Sequence, residues 1–339
     1  MELVAVCDSL PFRLDQAASI APKAKRYFDY KNLLSQKNLD AIIITTPLNT
    51  HASIAIDAVD ACVHIYCEKT MAKGVHETLE LVKKAKNDHV KIFQSGHQYR
   101  SSRLYDYIIQ MIQGGESGKV SAIQSQWNRN GDWRRPVPDP KFERQVNWRM
   151  YREYSYGLTA ELSSHQIDFC NWLLQTTPKK VAGFGGIDYW KDGRETYDIT
   201  HLIYNYPKGV KASFTCLTSN AKDDYQIKVI GDQGTIIMDY NKAWKYPEGI
   251  YDKVIAEIDG VSGATASWKE GKGNPINYDH KDPTRQALED FRTAIINNTT
   301  PMSNIKSGAE VAFAVDMGIC AMDKEEVVSW DPKYTIKNV

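Results

Sequence analysis

Two hydrophobic periodicities divide the chain. Up to residue 118, short apolar runs alternate with stretches whose apolar residues recur every three or four positions. Residues 3–7, 25–28, 41–46, 63–67 and 91–94 read as strands, and residues 11–21, 30–36, 53–61 and 75–86 as the helices between them. The run Ala41-Ile42-Ile43-Ile44-Thr45-Thr46 is rich in β-branched side chains and predicts a strand covered on both faces of a parallel sheet. Strands that alternate with helices predict a doubly wound α/β sheet.

Beyond Gly118 the pattern changes. Residues 121–127 alternate with period two, 128–148 are irregular and rich in Trp, Arg and Pro, and 158–174 are helical by pattern. Strands near 180–184, 200–206, 210–217, 225–230 and 235–239 are joined by turns such as Pro207-Lys208-Gly209 and Gly231-Asp232-Gln233-Gly234. Short links between consecutive strands predict a largely antiparallel sheet. A loop-rich stretch, 246–277, precedes two helices at 283–297 and 307–322. The expected architecture is an α/β domain over 1–118 and an α+β domain with a large open sheet over 119–339. A length of 339 residues fits two domains.

Composition removes several function classes. The chain is 42% apolar and 25% charged, ordinary for a soluble protein. Lys+Arg equals Asp+Glu, so there is no basic excess for nucleic acid. No run reaches membrane-span length, so no membrane partner is expected. Met1 opens directly into a strand, without a basic segment or cleavage site, which predicts a cytoplasmic protein. The cysteines at 7, 62, 67, 170, 216 and 320 form no C-x-x-C; buried free thiols are expected rather than disulfides or a metal site.

The candidate chemistry lies at strand ends. Glu68 and Lys69 close one strand, and Glu161 and His165 stand four residues apart on a helical stretch, the spacing that shares one face. A lysine brought to that face completes a proton-handling cluster suited to oxidising an alcohol beside a nicotinamide. His165 is the candidate base, because imidazole titrates near neutrality. The bland alternatives are a solvated loop lysine and a structural histidine. Thr46, Pro47, Asn49 and His51 follow the 41–46 run, at the sheet edge where ligands sit; a turn with an N-cap explains Thr50 equally well. Asp8 ends the first strand, or caps the next helix. Trp133, Arg134, Trp148, Arg149 and Tyr151 belong to a segment whose indoles suit sugar C–H faces and whose guanidinium groups suit hydroxyls. A loop covering a core is the competing reading. His97 and Arg100 follow the last strand of the first domain.

Landmarks recur in order: Val6-Cys7-Asp8, Thr46-Pro47 with His51, Glu68-Lys69, Gly96-His97-Gln98-Tyr99-Arg100, Trp148-Arg149, Glu161 with His165 and Asp168, and Gly231-x-x-Gly234-Thr235. The set resembles the Gfo/Idh/MocA family of sugar and cyclitol oxidoreductases. Two positions depart from that family: Thr70 replaces the proline after Glu-Lys, and Glu161 replaces an aspartate. The resemblance implies a Rossmann domain, then an open sheet whose exposed face forms dimers, with the last helices returning to the first domain. It implies NAD as cofactor, NADP not excluded, a carbohydrate or cyclitol substrate, and a homodimer or homotetramer. Carried over by position, Lys69, His165 and Glu161 are the expected catalytic residues. Asp8, Thr46, Pro47, Asn49, His51, Glu68, Lys69, Gln98, Trp148 and Arg149 are expected at the cofactor. His97, Arg100, Trp133, Arg134 and Tyr151, with Glu161 and His165, are expected at the substrate. Asp8 favours NAD, because an acid there repels a 2′-phosphate, although Arg13 can offset it.

The family begins one strand earlier, with a G-x-G-x-x-G turn that holds the pyrophosphate. This sequence shows neither, which predicts a shortened front end, a gap between the strands at 3–7 and 41–46, and the loss of any export signal carried there. Three activities fit: an NAD-dependent oxidoreductase, an NAD-retaining glycosidase working through transient C3 oxidation, and a non-catalytic sugar or nucleotide sensor.

Overall fold

The computed structural model describes residues 1–87, 91–248, 273–279 and 281–336. The chain opens with β1 (Ala5–Cys7), α1 (Pro11–Ile20), β2 (Lys25–Tyr27) and α2 (Tyr30–Leu34), in which β1 and β2 pair in parallel. There follow β3 (Ala41–Ile44), α3 (His51–Asp60), β4 (His64–Cys67), α4 (Val75–Asn87) and β5 (Phe93–Ser95), forming a parallel sheet in the order β3-β4-β5. The two parallel sheets share no ladder.

Alternation builds the first core. Ile44, Ile65 and Phe93 pack with Ala52, Ala55, Ala58 and Val59 of α3 and Leu81 and Ala85 of α4. On the opposite face, Tyr66 and Ile92 pack with Ala287, Phe291 and Ala294 of the later helix α8 (Pro283–Asn297). β4 is thus covered on both faces, but β3 is not. Ile43 is 46% exposed, which corrects the expectation for the 41–46 run. β3 is an edge strand, laddered only to β4, and its outer residues lack the cover an interior strand receives.

α5 (Arg103–Gln113) was not expected. Its apolar stripe, Leu104, Tyr105, Ile108, Ile109 and Ile112, is buried, and Ser102 caps it by accepting from the Tyr105 N–H. The second part holds β6 (Val120–Asn128), α6 (Glu143–Val146), a π-helical turn (Thr159–Ser163) and α7 (Ser164–Leu174). Then come β7 (Lys180–Gly186), β8 (Ile199–Asn205), β9 (Lys211–Leu217), β10 (Tyr225–Gly231), β11 (Gly234–Met238), β12 (Ala243–Pro247) and β13 (Asn274–Ile276). After α8 the chain ends with α9 (Ile305–Lys324) and β14 (Val328–Ser329). One sheet runs β13-β12-β11-β10-β6-β9-β8-β7-β14, antiparallel throughout except for the parallel β6–β9 pair. Of the expected loop-rich stretch 246–277, residues 249–272 lie outside the described residues.

α9 joins the two halves. Ile305, Ala309 and Phe313 sit in the core of the first domain, while Val311, Ala314, Val315 and Met317 sit in that of the second. All six cysteines are free; Cys67, Cys170 and Cys216 are buried, but Cys62 is exposed, against the expectation of burial. Among the described residues no helix is long and apolar enough to cross a membrane.

Candidate active site

The turn after β4 meets the π-helical turn at the carboxyl edge of the three-stranded sheet. The Lys69–Thr70 peptide bond is cis. Lys69 Nζ donates to the Glu161 carbonyl at 2.9 Å and the Ala160 carbonyl at 3.4 Å, and lies 3.7 Å from Glu161 Oε2. Thr70 Oγ1 donates to the Ala160 carbonyl at 3.1 Å. A π-turn takes an extra residue per turn, and such turns concentrate at functional sites. Here its carbonyls at 160 and 161 receive side chains from another element, the Ala160 carbonyl also accepting from Ser164 Oγ at 2.6 Å.

The Glu161 carboxylate is buried. It accepts from Arg149 Nε at 2.9 Å and from Ser155 Oγ at 3.3 Å. Burial alone would raise its pKa, but Lys69, Arg149 and His51 outweigh that and hold the carboxyl below its usual range. No hydrogen bond or ion pair joins Glu161 to His165, although the spacing suggested a shared face. The reason is the π-winding of Thr159–Ser163, which rotates Glu161 away from the α-helical register. Glu161 faces Lys69 and Arg149 instead.

His165, in the first turn of α7, faces a wall of rings: Tyr99 at 5.3 Å, Trp127 at 5.6 Å and His97 at 5.7 Å between centroids. Its Nδ1 is buried without a partner. Burial, then Lys69 and His97, push its pKa well below the ordinary imidazole value, so the ring is neutral at pH 7. His97 is equally enclosed. Its Nδ1 lies 3.2 Å from Ser95 Oγ, its Nε2 has no partner, and its pKa is pushed down to about 4, chiefly by burial.

The residues expected at the cofactor line the same sheet edge. Glu68 accepts from the Lys69 N–H at 3.1 Å, and burial raises its carboxyl pKa against the pull of Lys69. Gly96 lies against it; a Cβ there would come within 2.8 Å of Glu68 Cα and Oε2, so only glycine permits the approach. Thr46 Oγ1 accepts from Thr50 Oγ1 at 2.7 Å, and Pro47 leads into the next turn. Asn49 Oδ1 is buried and unpartnered. Gln98 is half-buried and opens the short turn after β5. Trp148 is buried, with the Arg149 guanidinium 4.1 Å above its ring. Asp8 accepts from the Leu10 N–H at 2.9 Å and lies 3.8 Å from Arg13; it does not cap α1, whose N-cap Leu10 has no side-chain cap bond. His51 differs: its ring nitrogens lie 2.8 Å from the Thr70 and Thr46 carbonyls, leaving neither for a cofactor. A buried acceptor without a donor and a carboxylate bonded only to its neighbour's amide fit the amide and hydroxyl groups of a nicotinamide riboside.

Three residues expected at the substrate are committed elsewhere. Arg100 Nε donates to both Asp168 oxygens, at 2.9 and 2.8 Å, and the guanidinium stacks over Trp172. A buried guanidinium needs a carboxylate, and Asp168 supplies it. Arg134 binds Asp192 at 3.1 Å and pairs with Glu143, to which Tyr151 also donates at 3.2 Å. Trp133 is half-buried and borders open space. It lies between the guanidinium groups of Arg129 and Arg149, each 5.9 Å away, and lines a cavity of about 380 Å³ with Asn128, Arg129, Asp224 and Tyr240. Sequence reasoning missed Thr70, Ser155 and the placing of Trp127 against His165. Thr70 stood inside a quoted motif; Ser155 carried no signal.

Residues 1–97 match the oxidoreductase family with an NAD-binding Rossmann fold, and residues 105–237 match the GFO/IDH/MocA C-terminal domain. The chain belongs to the Gfo/Idh/MocA oxidoreductase family. Its first domain is that family's NAD-binding Rossmann domain. An inositol 2-dehydrogenase of Salmonella typhimurium is 27% identical over 183 residues, 53% of this chain and 49% of the relative. A 2,7-anhydro-N-acetylneuraminate hydratase of Mediterraneibacter gnavus is 29% identical over 158 residues, 47% of this chain and 39% of the relative. The matched stretch thus spans about half, or less, of these curated relatives. Among solved structures, a levoglucosan dehydrogenase in complex with NADH and levoglucosan shares the fold at a TM-score of 0.77 and 16% identity, over 96% of this chain and 90% of that one.

Proposed function

We propose that this protein exchanges hydride between NAD and a hydroxyl-bearing carbon of a sugar, glycoside or cyclitol. The observation that carries the reading is the seat of Lys69. Its ammonium has three N–H groups. Two point to main-chain carbonyls at 2.9 and 3.4 Å, while the contact to the Glu161 carboxylate is loose at 3.7 Å. The loosely held donor is the one a substrate hydroxyl can take.

NAD, when bound, supplies the hydride acceptor. The chain's own residues divide the remaining work. Lys69 polarises the hydroxyl and stabilises developing negative charge on its oxygen. His165, kept neutral, is in the form that accepts a proton, and its low affinity prevents the proton from staying. Glu161 anchors Lys69 and Arg149. Glu68 and Asn49 would hold the nicotinamide riboside, helped by Thr46, Pro47, Gln98, Trp148 and Arg149, and Asp8 favours NAD over NADP. Trp133 offers its face to the sugar.

The test is NADH formation over a panel of inositols, aldoses and glucosides, with Lys69→Met beside the parent. We expect turnover to fall by at least about a thousandfold while NADH binding, read by fluorescence, is retained. Wild-type turnover in Lys69→Met would remove the assignment.

A second reading is redox-neutral: oxidation, elimination or hydration, then reduction on one retained cofactor, as in an NAD-retaining glycosidase. The hydratase among the relatives supports it. Cleaved or hydrated product without NADH release distinguishes it. A homodimer is supported by the outer face of β7 and β8, where Phe184 is 68% and Ile203 56% exposed; light scattering measures it.

A further inference from the structure

His51 occupies an unusual position for a buried imidazole. It begins α3, and its side chain is 2% exposed. Nδ1 lies 2.8 Å from the Thr70 carbonyl and Nε2 lies 2.8 Å from the Thr46 carbonyl. A carbonyl oxygen only accepts, and a neutral imidazole has a single N–H. If the ring were neutral, one of these contacts would press two lone pairs together at hydrogen-bond distance, with no water to intervene. Only a doubly protonated ring donates in both contacts.

We propose that His51 is an imidazolium that staples the end of β3 to the turn carrying Lys69, making it a positioning residue for the catalytic lysine. Thr46 closes the β3 segment, and Thr70 is the residue after Lys69. The two bonds span the carboxyl ends of neighbouring strands at the point where Thr70 and Lys69 also reach across to the π-turn. Removing one of them frees one side of the peptide that aims Lys69.

The charged groups facing the ring come from two elements: Glu161 from the π-turn and Lys69 from the turn after β4. Burial is the largest influence and, with Lys69, sets a net direction toward a pKa below the ordinary imidazole value; the two carbonyl bonds and Glu161 act against it, and the case for the charged ring is the pair of 2.8 Å contacts. A buried charge is tolerated when it is fully hydrogen-bonded and faces an opposite charge, and His51 meets both conditions. Glu161 is then surrounded by three cations, Lys69, Arg149 and His51, in agreement with its depressed carboxyl pKa.

The positioning role rests on the proposed redox reading; the protonation state does not, and the experiment separates them. Ring ¹⁵N–¹H correlation spectra of the full-length protein at about pH 8, where an ordinary imidazole of pKa ~6.5 is neutral, should show two ring N–H groups for His51. A single ring N–H, with the second nitrogen reporting a lone pair, would overturn the proposal without touching the assignment of Lys69. His51→Gln keeps an amide donor at one end of the staple. It should lower kcat by roughly tenfold to a hundredfold with little change in NADH affinity, and should alter the alkaline limb of the pH–rate profile. A His51→Gln enzyme with the parent's kcat and pH profile would refute the positioning role even if the ring were doubly protonated. Should Lys69→Met prove fully active, the redox reading fails and the spectra still decide the charge of His51.

Discussion

Two clusters of charge compete for the role of binding site, and they differ in what they leave unsatisfied. Around Arg134 the buried and half-buried charges are paired. Asp192 receives Arg194 Nε at 2.9 Å and Arg134 Nε at 3.1 Å, Arg194 also donates to the Asp132 carbonyl at 2.8 Å, and Glu143 takes Arg134 and Tyr151. Arg194 first, then Arg134, hold the Asp192 carboxyl far below its usual range. Around Lys69 the accounting stays open. His165 Nδ1, His97 Nε2 and Asn49 Oδ1 are buried without partners, and the Lys69–Glu161 contact is long. A buried polar group left unpaired costs about 1–3 kcal/mol, and a fold keeps that cost where a ligand can relieve it. Density of Arg and Trp drew attention to 127–152, where Trp127 Nε1 and Asn128 Oδ1 are also unpartnered but the charges of Arg134, Glu143, Asp192 and Arg194 are paired with one another.

The comparison can be broken most directly at Lys69. Lys69→Met should abolish NADH formation, by about a thousandfold or more, while NADH binding by the folded variant is retained. Retained activity would place the chemistry in the other cluster.

A second test reads the open cluster through acid stability. His97 has a folded pKa of about 4, below its unfolded value of about 6.5, so the unfolded chain binds more protons between these values. Stability is therefore complete above about pH 6.5 and falls by about 3 kcal/mol as pH drops toward 4. His97→Phe should flatten that slope in urea unfolding at about pH 5 and pH 7, leaving the part due to His165. An unchanged slope would mean that His97 is not held neutral in the folded protein.

The closed cluster should answer the opposite way. Arg134→Met removes the shared partner of Asp192 and Glu143 and should cost roughly 1–3 kcal/mol of stability. Below its melting temperature the variant should keep the parent's kcat and KM. A selective rise in KM would return Arg134 to the substrate site. Trp133→Ala should give the smallest effect, a rise in KM of about tenfold with kcat within about twofold, because a stacking face contributes about 0.5–1.5 kcal/mol.

Much of this was legible in the chain. Strand and helix patterns placed β1 to β11 and α7 to α9 to within a few residues. α5 was overlooked although Leu104, Tyr105, Ile108 and Ile109 carry the helical spacing. β12, β13 and β14 were not anticipated, and β13 falls inside the stretch read as loop. The pairing of Lys69 with Glu161 was anticipated across 92 residues of sequence, but not through the main-chain carbonyl that receives the shorter bond.

The sequence by itself determined which segments become strands and helices, the family, and the residue types gathered at the sheet edge. These follow from local periodicity and from motifs a few residues long. Only the tertiary structure decided which charges are spent and which remain available. Arg100 meets Asp168 across 68 positions and Arg134 meets Asp192 across 58, and the π-winding at Thr159–Ser163 turns Glu161 from His165 toward Lys69. Whether a side chain can act depends on burial and on a partner within about 3 Å, and neither distance is written in the spacing along the chain.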